Sequence, residues 1–300
     1  MKEVIIITGA SSGFGQMTAH ALGRAGHIVY ATMRQTEGRN KPKADDYRSL
    51  SQAENIDIRP LEMDVSDQAS VDKAIDAVLV EAGRIDVVVH NAGHMNLGPT
   101  EAFSVEQLAQ MYDVNTLSTQ RVNLAVLPHL RKQGKGLLVW VSSSSAKANW
   151  SPYLAPYFAA KAGMEQLAVS YSAELARFGI ETSIIVPGAF TKGTNHFAHA
   201  MEPAYGDTAA LYANGPTADL QDKVLEGTMS LVPDDADPAL VADAIVEVVN
   251  APFGQRPLRI TIDPSQDGSE IVASVQDRIR EDTLRRIGLA DLLHPAKQQA

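Results

Sequence analysis

The 300-residue sequence contains no cysteine, so it can form neither disulfide bonds nor metal sites built from thiolates. It also has no stretch that approaches the ~20 apolar residues of a membrane-spanning helix. A signal peptide is not visible, because the apolar run at residues 4–7 is too short and ends in a glycine turn. These absences favour a cytoplasmic protein without a membrane span.

Basic residues are in the minority: 26 Lys and Arg stand against 36 Asp and Glu, which gives a formal net charge of -10. A nucleic-acid-binding protein needs basic patches that neutralise phosphates, so this balance argues against a nucleic-acid partner. The share of hydrophobic residues, 45%, is that of an ordinary globular protein. A chain of this length can form one open α/β domain.

Short apolar runs alternate with segments of helical periodicity through most of the sequence. The first unit is a strand at residues 4–8, a glycine turn, a helix at 16–26 and a strand at 27–32. Such a unit requires a parallel sheet with a right-handed crossover. Its repetition predicts an α/β fold, a doubly wound Rossmann-type parallel sheet with helices on both faces, as a single domain over residues 1–300.

Several segments carry more specific expectations. The polar residues 38–48 are typical of a surface loop, and residues 105–133 predict one long helix with Pro128 near its end. Residues 190–232 break the alternation and predict an insertion over the carboxyl edge of the sheet, where it would cover the substrate. Residues 263–300 form a charged C-terminal extension.

The first candidate site is the glycine turn Gly9-x-x-x-Gly13-x-Gly15 between the first strand and helix. Glycine allows a tight turn and close approach of the backbone to a pyrophosphate, and the helix N-terminus supplies N–H donors. The same kind of turn also joins strands to helices where no ligand binds, so this motif alone leaves both interpretations open.

The second candidate site is a Tyr157-x-x-x-Lys161 pair, whose members lie one turn apart on a predicted helix. A phenol ionises near pH ~10. A cation ~5 Å away at an effective dielectric of ~20 favours the phenolate by about 3 kcal/mol. We therefore expect Lys161 to lower the pKa of Tyr157 into a range useful for a general acid or base. The alternative is a surface tyrosine beside a solvated lysine.

Four motifs in order resemble the short-chain dehydrogenase/reductase family, and its steroid- and retinol-dehydrogenase branch looks nearest. They are the glycine turn, Asn91-Ala92-Gly93, the serine run at 142–145, and the Tyr157–Lys161 pair. The resemblance covers roughly residues 3–262. It implies a nicotinamide-dependent oxidoreductase that forms a homodimer or homotetramer and acts on a small carbonyl or alcohol substrate, which could be hydrophobic.

The resemblance also implies a catalytic tetrad. Tyr157 would be the general acid/base, and Lys161 would also bind the nicotinamide ribose. Ser144, thirteen residues before Tyr157, would orient the substrate carbonyl. Asn115 would hold a water that links Lys161 to solvent, although a polar residue in a helix can simply face solvent.

The choice of Ser144 has competitors in Ser142, Ser143 and Ser145. Lys147 stands where the family pattern has glycine.

Cofactor-binding residues follow from the same resemblance. They are Gly9, Ser11, Ser12, Gly13, Phe14 and Gly15 in the turn, Asp64 and Val65 beside the adenine, Asn91, Ala92 and Gly93 beside its ribose, and Pro187, Gly188 and Thr191 near the nicotinamide.

Arg34 decides which nicotinamide cofactor we expect. Enzymes that use NAD usually offer a carboxylate at the end of the second strand, where it binds the ribose hydroxyls. This sequence has no acid there and offers Arg34, whose guanidinium can bind a 2′-phosphate with two hydrogen bonds. We therefore expect NADP rather than NAD, with Arg34 as an ordinary surface cation the alternative.

The expected reaction is hydride transfer between NADP(H) and a carbonyl or secondary alcohol. The alternative functions are an epimerase or dehydratase on the same fold, and a non-catalytic cofactor-binding protein. We expect no metal, since His196 and His199 are three residues apart but have no acidic partner at a known spacing. Candidates for the substrate pocket are His94, Met95, Asn149, Trp150, Tyr153, Phe190 and Phe197.

Overall fold

A parallel sheet forms the centre of the computed structural model, which describes residues 2–147, 150, 152–194 and 199–296. Its seven strands are β1 (Val4–Ile7), β2 (Ile28–Met33), β3 (Asp57–Glu62), β4 (Val87–His90), β5 (Gly136–Val141), β6 (Ile180–Pro187) and β7 (Arg259–Ile262). They lie in the order β3-β2-β1-β4-β5-β6-β7. The chain reverses its direction across the sheet between β1 and β4, which confirms the predicted doubly wound, Rossmann-type fold.

Helices cover both faces of this sheet. In the described residues they are α1 (Gly13–Arg24), α2 (Lys41–Glu54), α3 (Gln68–Ala82), α4 (Val105–Tyr112), α5 (Ser118–Gln133), α6 (Ala155–Glu174), α7 (Gly206–Asn214), α8 (Leu220–Ser230), α9 (Ala239–Asn250) and α10 (Ser269–Arg286). Helices α3, α5 and α6 pack on one face, and α1, α2 and α9 on the other. No helix in the described part of the chain is long and apolar enough to cross a membrane.

Strand β1 shows why the central strands are apolar along their whole length. Ile5 and Ile7 pack toward the layer of α1 and α9, whereas Val4 and Ile6 pack toward α3 and α5. Successive side chains of a strand point to opposite faces, and here both faces are covered. All four residues are buried, so this strand could be predicted from its run of apolar residues.

The expectation of a surface loop at residues 38–48 was wrong, because α2 (Lys41–Glu54) occupies most of that segment. Only Ala44 and Tyr47, three residues apart on one side, are buried. The Tyr47 hydroxyl donates a 2.6 Å hydrogen bond to the carbonyl oxygen of Ala10 in the glycine turn. The helix therefore depends on a contact with a distant segment.

The predicted helix at residues 105–133 is divided by a π-helical turn, Asp113–Leu117, between α4 and α5. Pro128 lies inside α5, which continues to Gln133. Residues 190–232 are more regular than their composition indicates, since they contain α7 and α8, which have no buried residue. The C-terminal extension contains α10.

Candidate active site

Two adjoining cavities open at the carboxyl edge of the sheet, where ligands bind in doubly wound folds. A cleft of about 590 Å³ runs over the glycine turn toward the end of β2. A second cavity of about 140 Å³ lies over Tyr157 and the serine run. Phe14, Asn91, Gly93 and His94 belong to the walls of both, so the two cavities meet above the ends of β1 and β4.

The glycine turn forms the floor of the larger cleft, which Gly9, Ser11, Ser12, Gly13 and Phe14 line. A Cβ on Gly9 would lie 2.8 Å from the Ala92 Cα, and φ of Gly9 is +66°. Gly13 also has a positive φ, +54°, but a Cβ there would meet nothing within 4 Å. This open backbone at the N-terminus of α1 fits the pyrophosphate of a dinucleotide.

Unlike the other two glycines of the turn, Gly15 does not line either cavity. Its Cβ would lie 2.4 Å from the Asn91 Nδ2. That amide nitrogen donates hydrogen bonds of 2.9 and 3.1 Å to the carbonyl oxygens of Thr8 and Gly9. Gly15 therefore allows β4 and the turn to be joined closely.

Both arginines near the end of β2, Arg34 and Arg39, line the larger cleft. The Asn40 Nδ2 donates a 2.6 Å hydrogen bond to the Arg34 carbonyl oxygen. Glu62 at the end of β3 accepts hydrogen bonds from the backbone nitrogens of Gln35 and Thr36. Sequence reasoning missed Arg39; its position in the same loop, five residues after Arg34, was the available signal.

The remaining predicted cofactor residues divide between the two cavities. Asp64, Val65 and Ala92 line the larger cleft, and Pro187, Gly188 and Thr191 line the smaller cavity. The structure therefore brings every predicted cofactor residue except Gly15 to one of the two cavity walls.

Tyr157 and Lys161 lie on one face of α6, with the Lys161 Nζ 5.9 Å from the centre of the Tyr157 ring. The Nζ donates a 2.9 Å hydrogen bond to the Val141 carbonyl oxygen. Burial lowers the pKa of Lys161 to about 8, against the opposing effect of the Glu165 carboxylate.

The pKa of Tyr157 differs from the expectation. Desolvation of the phenol raises the pKa of Tyr157, while the hydroxyls of Ser143 and Ser145 oppose that shift. The prediction that Lys161 lowers the pKa of Tyr157 was therefore wrong in direction. Burial disfavours the charged form of each group, so it raises the pKa of the Tyr157 phenol and lowers the pKa of the Lys161 amine.

All four serines of the run at 142–145 line the smaller cavity, but their hydroxyls are engaged differently. The Ser142 hydroxyl donates a 2.5 Å hydrogen bond to Glu165. The Ser143 Oγ accepts a bond from the backbone nitrogen of Ser145, and Ser145 Oγ has no hydrogen bond of normal geometry within the described residues. Ser144 as the substrate-orienting serine stays a prediction; the two hydroxyls that act on the Tyr157 phenol are those of Ser143 and Ser145.

Asn115 is buried in the π-helical turn, close to Lys161. Its Nδ2 donates hydrogen bonds of 2.9 and 3.0 Å to the carbonyl oxygens of His94 and Met111. Its Oδ1 is buried without a partner among the described residues. A Cβ on Gly93 would lie 2.6 Å from this oxygen and 3.7 Å from the Lys161 Nζ. The acceptor and the amine thus face one small space.

A sequence profile described as short chain dehydrogenase matches residues 3–203, about two thirds of the chain. The chain belongs to the short-chain dehydrogenase family. It is 34% identical over 192 residues to a 3-ketodihydrosphingosine reductase of Bacteroides thetaiotaomicron, covering 64% of this chain and 65% of that relative's length. The matched part therefore spans less than two thirds of that relative.

Solved structures extend the similarity of this dehydrogenase to nearly its whole length. A short-chain dehydrogenase from Streptomyces avermitilis is 28% identical, with a TM-score of 0.73 over 96% of this chain and 98% of that one. An alcohol dehydrogenase from Thermococcus sibiricus, complexed with 5-hydroxy-NADP, is 25% identical, with a TM-score of 0.67 over 88% of this chain and 97% of that one.

The lining of the smaller cavity is mainly apolar. Of the predicted pocket residues, His94, Met95, Trp150 and Phe190 line the smaller cavity, Tyr153 is buried outside its wall, and Asn149 and Phe197 lie outside the described residues. His196 also lies outside them, and His199 lines the larger cleft. Sequence reasoning missed Leu154, Phe158, Met229, Leu231 and Val232. The last three end the 190–232 insertion, and their apolar spacing was the available signal.

Proposed function

We propose that this short-chain dehydrogenase transfers a hydride between NADP(H) and a carbonyl or secondary alcohol, with Tyr157 as general acid/base. One observation carries the proposal. Tyr157, Lys161, Asn115 and the serine run converge on a cavity that adjoins a cleft floored by an open glycine turn. A proton-transfer group and a dinucleotide-binding surface thus lie side by side.

The chain's own residues would bind, orient and move protons. The nicotinamide, when bound, supplies the hydride chemistry. Because burial raises the pKa of Tyr157, the phenol is neutral at pH 7 and can donate its proton to a substrate oxygen during reduction. Ser144 would orient that oxygen. Lys161 and Asn115 would then return a proton to Tyr157.

The two arginines at the end of the cofactor cleft support NADP over NAD. Arg34 and Arg39 both line this end, and guanidinium groups bind phosphate with paired hydrogen bonds. The Thermococcus sibiricus alcohol dehydrogenase, which is similar over 88% of this chain, is complexed with an NADP derivative. NAD, which carries no 2′-phosphate, would gain nothing from these cations.

The lining of the smaller cavity supports a hydrophobic ketone or alcohol as substrate. Apolar side chains line the space above Tyr157 from α6 and α8 and from the residue next to each helix, namely Leu154, Phe158, Met229 and Leu231. The Bacteroides thetaiotaomicron relative is named as the reductase of a keto compound. Binding of an apolar substrate would bury these side chains together with it.

The test is a panel of ketones, aldehydes and alcohols assayed with NADP(H) and with NAD(H), following absorbance of the reduced cofactor. We expect turnover with NADP(H) that consumes one reduced or oxidised cofactor per substrate molecule. Conversion of substrate without net change of the cofactor would instead indicate an epimerase or dehydratase. Binding of cofactor without conversion of any substrate would indicate a non-catalytic member.

We further propose a cytoplasmic homodimer or homotetramer. Large apolar side chains are exposed on α4, α5 and the turn between them: Leu108, Tyr112, Leu117 and Leu124. Several exposed large apolar side chains on one helical segment are typical of an interface between copies. Light scattering during size-exclusion chromatography should give a mass of at least two chains, and a monomer at micromolar concentration would contradict the assembly.

A further inference from the structure

A buried carboxylate lies one helical turn beyond Lys161. Glu165 is 1% exposed, and three side chains from other segments bind it. The Ser142 hydroxyl donates to its Oε2 over 2.5 Å, the Lys147 Nζ lies 2.9 Å from its Oε1, and the Arg259 Nη1 lies 2.6 Å from the same oxygen. Residues 142–147, here called the serine segment, are thus joined to helix α6 at both ends, because Ser142 and Lys147 both bind Glu165.

Glu165 belongs to a larger group of charges. Arg259 on β7 forms two further hydrogen bonds, of 2.8 and 3.1 Å, to the Asp277 carboxylate on α10. Apart from Lys161, the group therefore has two carboxylates, Glu165 and Asp277, and two cations, Lys147 and Arg259. A buried charge is tolerated where it is paired and hydrogen-bonded, and removing one partner leaves the others uncompensated.

We propose that Glu165 is a positioning residue of the active site. Its carboxylate holds Lys161 in the ammonium form and ties the serine segment to α6 through Ser142 and Lys147. Lys147, which stands where the family pattern has glycine, compensates part of the charge of Glu165 and anchors the segment after the serines. The kinetic part of this proposal rests on the proposed function, because it concerns the same reaction.

The charges of Glu165 and Lys147 should have opposite effects on the pKa of Lys161. The Glu165 carboxylate raises the pKa of Lys161 against the effect of burial. Other charged or titratable groups near it are Tyr157 on its own helix, Lys147 after the serine run, and Arg259 with Asp277 behind Glu165. Arg280 interacts with both Asp277 and Arg259, and His94 and Asp267 line the same cavity as Lys161. Removing the Glu165 charge should therefore favour the neutral amine, and removing the Lys147 charge should favour the ammonium ion.

The experiment is an NMR titration of the full chain labelled with [ε-¹³C]lysine, in which the Lys161 signal is assigned by its loss in Lys161→Met. In Glu165→Gln the titration midpoint of Lys161 should fall by about one to two pH units, the effect of a charge one helical turn away, roughly 6 Å, at an effective dielectric of ~20. In Lys147→Met the midpoint should rise, and Glu165→Asp should restore most of the wild-type value.

The double variant Glu165→Gln/Lys147→Met removes one buried charge of each sign and leaves Arg259 paired with Asp277, so it decides the question if Glu165→Gln does not fold. A midpoint in the double variant below the wild-type value supports the proposal. An unchanged or raised midpoint in every folded variant without Glu165 overturns it.

Turnover provides the second readout. The alkaline limb of the kcat profile should move to lower pH in Glu165→Gln and to higher pH in Lys147→Met, with KM for NADPH nearly unchanged. If the alkaline limbs of the kcat profiles of both variants coincide with the wild-type limb, Glu165 has no role in the reaction. If the wild-type protein turns over no substrate, the proposed function fails, while the NMR titration still decides whether Glu165 controls the charge of Lys161.

Discussion

The Lys161 Nζ donates a hydrogen bond to the carbonyl oxygen of Val141, the last residue of β5, over 2.9 Å. This bond ties the helix that carries Tyr157 to the strand from which the serine run begins. It also places an amine where burial lowers its pKa to about 8. The free energy of unfolding should therefore depend on the protonation of this one side chain.

Replacing Lys161 with Met should stabilise the fold at pH 7. Because the pKa of Lys161 is lower in the folded than in the unfolded chain, the unfolded chain binds more protons between about pH 8 and pH 10.4. The free energy of unfolding of the wild-type protein therefore rises with pH across this window. Below about pH 8 the buried Lys161 ammonium ion destabilises the fold by its full amount. We expect Lys161→Met to gain about 1 to 3 kcal/mol at pH 7 and less at pH 9.5. Urea unfolding at both pH values measures this, and a variant less stable than wild type at pH 7 would contradict it.

Replacing Tyr157 with Phe should abolish turnover, since the phenyl ring has no proton to exchange with the substrate oxygen. A loss of kcat of about 10² to 10⁴ is the usual effect of losing a general acid. Cofactor affinity, measured by quenching or transfer of intrinsic fluorescence, should change little. Tyr171→Phe on the same helix is the matched control, because the Tyr171 hydroxyl bonds Gln120 away from the cavity. Retained turnover in Tyr157→Phe would remove this residue from the mechanism.

Replacing Arg34 or Arg39 with Ala should weaken NADP binding by about 10-fold to 100-fold each, since a charge-assisted hydrogen bond contributes roughly 1.5 to 3 kcal/mol. NAD binding should be nearly unaffected, because NAD has no 2′-phosphate. Calorimetric titration with both cofactors measures the difference. Arg48→Ala is the control, since Arg48 pairs with Asp45 on α2 and does not line the cleft. Equal losses of affinity for NADP and NAD would show that the arginines do not bind the 2′-phosphate.

Replacing Gly93 with Ala should disturb Asn115 and Lys161 without changing the fold. The new Cβ would lie 2.6 Å from the Asn115 Oδ1, so the amide must move. We expect kcat to fall by about tenfold or more, in line with small displacements of catalytic groups. Gly206→Ala is a matched substitution with nothing within 4 Å of its Cβ, and it should leave the kinetics unchanged. Similar kcat values for the two variants would contradict the role of this space.

The central sheet could be predicted because strands covered on both faces need uninterrupted apolar runs, as in β1 and β5. The glycine turn and the Tyr157–Lys161 pair were also accessible, since their function depends on local spacing. Helix α2 could not be predicted, because Ala44 and Tyr47 alone are buried on it and most of its other side chains are polar.

Two properties of the site depend on contacts between distant segments. The position of Arg39 relies on a loop that Glu62 holds from the next strand. The directions of the pKa changes at Tyr157 and Lys161 depend on how much water the surrounding chain excludes. Residue spacing reports which groups are neighbours, whereas desolvation is set by the packing of the whole carboxyl edge.

Because Asn115 lies in the π-helical turn Asp113–Leu117, the position of its side chain depends on the number of residues in that turn. A π turn accommodates one residue more than an α-helical turn. Deleting a single residue there would restore regular α-helix and rotate α4 against α5 by about 100°. The Asn115 amide could then no longer reach both His94 and the space beside Lys161. In this family member, the number of residues between α4 and α5 is thus part of the active site.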